Sequence, residues 1–243
     1  MDNIVSITLI GFSVGVLGTG IGGLLALFLD EPGNRFLSFI LGFSAGIMLT
    51  IVCFDLLPEA FDRGNFVLGI AGIVAGVLVI IIADDKIHMH ETNIPLGTAS
   101  FTKMGILIGI GVALHNFPEG LAIGSGFIAT KELGIGISLV IAIHNIPEGI
   151  SMAAPMRVGG MSKFKALFYT VLVGMPMGLG AFIGAMLGEI SQTFIAFCLA
   201  FAGGTMLYIT CGELIPGSSN LHIGRTSSIG LILGFLVGLF ITK

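Results

Sequence analysis

"GFSAGIMLTIVCFDLLPEA", residues 42–60, and "AFAGGTMLYITCGELIPGS", residues 200–218, align without gaps. Met48 matches Met206, Cys53 matches Cys211, Asp55 matches Glu213 and Pro58 matches Pro216. Both stretches are apolar and rich in small residues, and both close on an acidic residue followed three positions later by proline. Where they fall along the chain decides how the repeat is read. Apolar runs long enough to cross a ~30 Å hydrocarbon layer lie at about 4–29, 36–57, 66–83, 105–129, 133–155, 165–187, 193–215 and 227–242. The matching stretches are then the second and seventh of eight helices, and they cross the membrane in opposite directions. The expectation is an all-α integral membrane protein: eight transmembrane helices in a 3+2+3 inverted-repeat bundle, with helices 1–3 and 6–8 flanking helices 4 and 5.

Composition supports that class. Of 243 residues 55% are hydrophobic and 10% charged, and mean hydropathy is +1.07, whereas soluble domains carry about a quarter charged residues. The chain reads as one transmembrane domain over 1–243, with a cytoplasmic loop at 84–104. Its first run follows Asp2 with no basic residue before it and exceeds a signal h-region in length, so it is expected to remain as a helix. Thirty-eight glycines let helices approach backbone to backbone. Cys53, Cys198 and Cys211 lie inside apolar runs, which speaks against a disulfide framework, and no nucleic-acid signature is present. Arg35, Lys86, Lys103, Arg157, Lys163, Lys165 and Arg225 fall on one side of this topology, and Arg63, Lys131 and Lys243 on the other. The basic excess belongs to the cytoplasm, which places both termini outside.

Two further segments put polar groups where hydrocarbon is expected. "HNFPEG" at 115–120 and "HNIPEG" at 144–149 sit near the centres of helices 4 and 5. At about 100° per residue, His115, Asn116 and Glu119 share one face, as do His144, Asn145 and Glu148. Pro118 and Pro147 remove an N–H and free the carbonyls of Leu114 and Ile143, and such backbone is tolerated at depth only against protein or a polar cavity. Two imidazoles with two carboxylates carry charge −2, which a divalent cation cancels. The donor set suits zinc and other first-row metals better than calcium or magnesium. A structural polar cluster is the bland reading, but ionisable groups inside a membrane are functional by default. Inverted repeats point the same way, toward transport.

The paired H-N-x-P-E-G motifs, the eight-helix plan and the polar loop after helix 3 resemble the ZIP family of divalent-metal transporters, its GufA-like branch of bacterial zinc uptake proteins above all, over essentially the whole chain. That resemblance implies carriage of Zn²⁺, with Fe²⁺, Mn²⁺, Co²⁺ and Cd²⁺ as further substrates, across the cell membrane into the cytoplasm by an elevator-like or rocking change of access. It implies a primary metal site of Met48, His115, Glu119, His144 and Glu148, and an adjoining one of Asn116, Asn145 and the same glutamates. Many members complete the second site with a glutamate before a helix-6 proline. Here Met175 precedes Pro176, and an uncharged thioether weakens the case for a second ion. Asp55, Glu59 and Glu213 are candidate pathway or gate carboxylates, the first two at the outer mouth and Glu213 at the inner one. His88, His90 and Glu91 in "DDKIHMHE" are candidates for metal capture. No cofactor is implied, since the metal is the substrate. Lipid is the other partner, and homodimerisation is left open.

The competing class is an intramembrane zinc enzyme. Zinc proteases set a glutamate directly after the first histidine of H-E-x-x-H, and this chain has Asn116 and Asn145 there, so an enzyme is not expected. A passive metal channel is the alternative within transport.

Overall fold

The computed structural model describes residues 2–28, 33–88 and 98–241. Among them the helices are α1 (Asp2–Ala26), α2 (Asn34–Arg63), α3 (Phe66–His88), α4 (Thr98–Ala129), α5 (Lys131–Val158), α6 (Lys163–Ile190), α7 (Gln192–Leu221) and α8 (Thr226–Ile241). No strand occurs among the described residues. Among the described residues five stretches are long and apolar enough to span a membrane: Ile4–Ala26, Asn34–Arg63, Lys131–Val158, Lys163–Gly188 and Gln192–Leu221. Phe66–Ile82 and Thr226–Phe240 are shorter apolar helices. Large apolar side chains such as Val67, Phe168 and Ile232 are exposed at 76%, 62% and 57%. That surface would drive a soluble protein to aggregate and is the ordinary lipid face of a multi-pass membrane protein.

Connections are short. Thr130 alone joins α4 to α5, its hydroxyl accepting the Leu133 N–H at 3.1 Å, and Ser191 alone joins α6 to α7, accepting from Thr193 N at 3.1 Å. The α4–α5 link folds α5 back along α4, whereas α6 and α7 part after theirs and pack mainly on other helices. Several helices outrun their apolar runs. The second, expected at 36–57, continues to Arg63, where Arg63 Nε donates to Glu59 one turn earlier and Nη1 to Gln192 Oε1 at 2.7 Å. The expected loop at 84–104 shortens from both ends, because α3 runs to His88 and α4 starts at Thr98. Hydropathy marks where hydrocarbon ends, whereas the i→i−4 ladder continues until a cap or a breaker stops it.

α1, α4, α5 and α6 pack on one another, as do α2, α3, α7 and α8. Within the first set, α4 lies on α6 and α1 on α5; within the second, α8 lies on α2 and α3 on α7. The two sets meet chiefly through α4 against α7 and α5 against α2. Small residues make the contacts close. A Cβ on Gly22 of α1 would strike the Ile146 carbonyl of α5, and one on Gly149 of α5 would strike the Thr19 carbonyl of α1, so both positions need glycine. The shared core between the sets holds Ile47, Met48 and Ile51 of α2, Ile123 of α4, Ile137 and Ile141 of α5, and Leu199 and Met206 of α7.

α2 and α7 each contain one π-helical turn, Val52–Leu56 and Thr210–Leu214. These occupy the same positions of the aligned stretches, and each ends two residues before the matching proline, Pro58 or Pro216. A proline lacks the N–H that its i−4 carbonyl requires, and the wider turn takes up that mismatch without breaking the helix.

Candidate metal centre

The i, i+4 spacing places His144 and Glu148 on one face of α5, and α4 brings Glu119 opposite them. One ligand atom from each of the three lies within 4.8 Å of the others, and the residues are 0%, 1% and 0% exposed in the order His144, Glu148, Glu119. His144 Nε2 lies 3.0 Å from Glu119 Oε1, and His144 Nδ1 lies 3.2 Å from the Val140 carbonyl. A carbonyl only accepts, so Nδ1 carries the proton, and a neutral ring then turns the Nε2 lone pair toward Glu119. This is the arrangement in which a backbone acceptor orients a histidine for metal at its other nitrogen.

Proline shapes the surroundings. Pro147 frees the Ile143 carbonyl of α5, and the next carbonyl, of His144, receives Ser44 Oγ from α2 at 3.5 Å. Pro176 frees the Leu172 carbonyl of α6, and the next one, of Val173, receives Asn116 Nδ2 at 2.8 Å. That bond fixes the Asn116 amide with its oxygen the other way. Asn145 Nδ2 points at Met177 Sδ, 4.0 Å away. Among the described residues Asn116 Oδ1, Asn145 Oδ1 and Glu119 Oε2 are buried without a hydrogen-bond donor. Leaving such a group unpaired costs about 1–3 kcal/mol, and more when it is charged. The common chemistry of these oxygens is that each accepts, so a cation satisfies what further donors do not.

The other expected residues are distributed unevenly. Met48 is fully buried on α2, one turn past Ser44, and its sulfur takes the Thr210 hydroxyl of α7 at 3.9 Å. Asp55 sits half-buried on the α2 π turn, and Glu59 is engaged with Arg63. Met175 is 42% exposed on α6, and the buried sulfur facing Asn145 belongs to Met177. Two residues apart on a helix is about 200° of rotation, so only one of this pair can turn inward. The side chains of His115, Glu213 and His88, and all of His90 and Glu91, lie outside the described residues. Sequence reasoning missed Ser44, Thr210, Met177 and the Val140 carbonyl. Only Met177 had a legible signal, as the second sulfur of "MPM".

Comparison with known proteins gives this arrangement a context. A family model described as "ZIP Zinc transporter" matches residues 82–242. A protein called "Zinc transporter ZupT" in Chlorobium limicola is 38% identical over 239 residues, covering 90% of each chain. Proteins of the same name in Corynebacterium glutamicum and Escherichia fergusonii are 36% identical over 242 residues and 35% over 230. These cover 91% and 90% of this chain, and 92% and 89% of the relatives.

Proposed function

The chain belongs to the ZIP zinc transporter family, and on that premise we propose that it carries divalent transition-metal ions, Zn²⁺ foremost, across the cell membrane into the cytoplasm. It is a transporter rather than an enzyme. The observation that carries the reading is the buried set of Glu119, His144 and Glu148, with orphaned oxygens beside it. An entering cation would be held by the His144 Nε2 lone pair together with the Glu119 and Glu148 carboxylates. His115, one turn before Glu119 on α4, is proposed as a further ligand from its spacing, and Met48 as a sulfur donor from α2. Asn116 and Asn145 would bound the site on the α6 side.

The 3+2+3 inverted repeat is supported by matching neighbours, α2 with α8 against α7 with α3 and α1 with α5 against α6 with α4, and by the paired π turns. The two packing sets are proposed to shift against each other as access alternates, Fe²⁺, Mn²⁺, Co²⁺ and Cd²⁺ being further cargo. The basic excess of the α1–α2, α3–α4, α5–α6 and α7–α8 connections supports both termini outside. Asp55 and Glu59 would then face the outer vestibule, Glu213 the inner one, and His88, His90 and Glu91 would receive metal in the cytoplasm. The metal is the cargo, and no resident cofactor enters this reading. Uptake of radioactive zinc into vesicles reconstituted with the purified protein tests it. Accumulation above that of empty vesicles is expected, and its absence in vesicles holding folded protein would end the proposal.

A further inference from the structure

α2 and α8 start side by side, and a cavity of about 500 Å³ opens between their first turns. Gly33, Arg35 and Thr226 line its polar end, and Phe36, Phe39 and Ile229 line its deeper wall, further along the two helices. Polarity therefore changes along the axis, from a guanidinium and a helix start to aromatic and aliphatic side chains. Gly33, the N-cap of α2, supplies no side-chain cap, and neither helix has an acidic residue in its first turn. Among the described residues Arg35 has no ion-pair partner; Asp30 and Glu31, before it in the chain, lie outside them. Arg225 immediately precedes α8. Another cavity of similar size, about 560 Å³, lies at the start of α3 and is lined by Asn65, Phe66, Val67, Leu68 and Ala71. It contains no charge, and Asn65 Oδ1 caps its own helix by accepting from Leu68 N at 2.9 Å. The α2–α8 cavity thus combines a positive charge, two helix N-termini and an apolar trough.

We infer that this cavity is a binding site for an anionic phospholipid, its phosphate held by Arg35 and the first N–H groups of α2 and α8, and its acyl chain lying along Phe36, Phe39 and Ile229. A phosphodiester at a helix start is favoured by the dipole and the free N–H groups. The acyl chain follows the same polar-to-apolar order as the lining. With both termini outside, the lipid belongs to the cytoplasmic leaflet, where such headgroups meet basic pockets between helices.

Native mass spectrometry of the purified protein in detergent, with phosphatidylglycerol, phosphatidylcholine or glycerol 3-phosphate added at equal concentration, tests the assignment. Phosphatidylglycerol is expected to be retained about five-fold more than phosphatidylcholine, as one basic contact at the interface implies. Arg35→Gln should remove that preference. Ile229→Trp, which fills the trough and keeps the charge, should remove it as well. Both positions are exposed, and an unchanged melting temperature without added lipid checks the fold. Equal retention of the two lipids by wild type, or full preference in either variant, would overturn the inference. Glycerol 3-phosphate binding as well as the lipid would reassign the cavity to free phosphate. A dimer that Ile229→Trp dissociates and lipid leaves unchanged would assign it to a second copy of the chain. Either result would overturn the lipid assignment.

Discussion

The far ends of α2 and α7 share a backbone and differ in side chains. Both take one π turn and then a proline, at matching positions of the aligned stretches. Beyond it, α2 carries Glu59, tied to Arg63 and through it to Gln192 at the start of α7. α7 has Gly217 where α2 has Glu59, and Ser218 where α2 has the buried Ala60. Ser218 is fully buried, donates to the Ser38 carbonyl at 2.5 Å and meets the Ser227 hydroxyl at 2.7 Å. One end is ionic and half-exposed, and the other is sealed by neutral hydroxyls. A duplicated backbone device thus sits in two different electrostatic settings. The contributions around the centre are also unequal, with Ser44 and Met48 from α2 but Val173, Met177 and Thr210 from α6 and α7.

The largest effect is expected where the two halves meet. Glu119→Ala and His144→Ala should each reduce zinc uptake, corrected for surface expression, by more than the 10–100-fold typical of losing a ligand's supporting partner. Uptake within ten-fold of wild type in either variant would mean that ions cross between the halves without using the buried cluster, and the comparison of two ends around one centre would lose its centre.

A second test sharpens the inequality on the α6 side. Met177→Glu places a carboxylate where a sulfur now faces Asn145 and should let the purified protein bind a second Cd²⁺ ion, counted by elemental analysis against protein concentration. Met175→Glu, exposed on the other face of α6, should leave the count at that of wild type. A gain at 175 and none at 177 would reverse the assignment of the inward face.

Much of this was legible beforehand, and the omissions have a common cause. Composition, run length and the gapless repeat marked a helical membrane protein, and the spacing of the H-N-x-P-E-G motifs singled out His115, Asn116, Glu119, His144, Asn145 and Glu148, of which Glu119, His144 and Glu148 come together among the described residues. Periodicity carries such information because i and i+4 share a face whatever surrounds the helix. The partners of that group were not legible. Ser44 reaches the His144 carbonyl, and Asn116 the Val173 carbonyl, through contacts between helices that the spacing along one helix does not reveal. Which sulfur of "MPM" faces inward depends on the rotation of α6 about its axis, and packing against α1 and α4 sets that. Helix ends differ from the ends of the apolar runs for a related reason. The ladder through Glu59 and Arg63 owes nothing to hydropathy.

The smallest effects should separate the two ends themselves. Asp55 on the α2 π turn is half-buried and does not belong to the central cluster, so Asp55→Ala removes attraction for a dication approaching from outside and spares the ligands. It should raise the KM for zinc about two- to five-fold at low salt with maximal rate unchanged, and the difference should shrink as ionic strength shortens the screening length. Ser218→Ala makes the α7 end resemble Ala60 of α2. It removes the hydroxyl shared by the Ser38 carbonyl and Ser227, leaving Ser227 with the longer contact to Ser219 at 3.3 Å, at a cost of about 1 kcal/mol. It should therefore lower the melting temperature by a few degrees while leaving KM and its salt dependence alone. Initial-rate uptake at two salt concentrations, with a melting curve for each variant, distinguishes these outcomes. If Ser218→Ala raised KM in a salt-dependent way, or Asp55→Ala altered only stability, the ionic end would not be the one that meets the incoming ion, and the proposed direction from the α2 end toward the α7 end would have to be reversed.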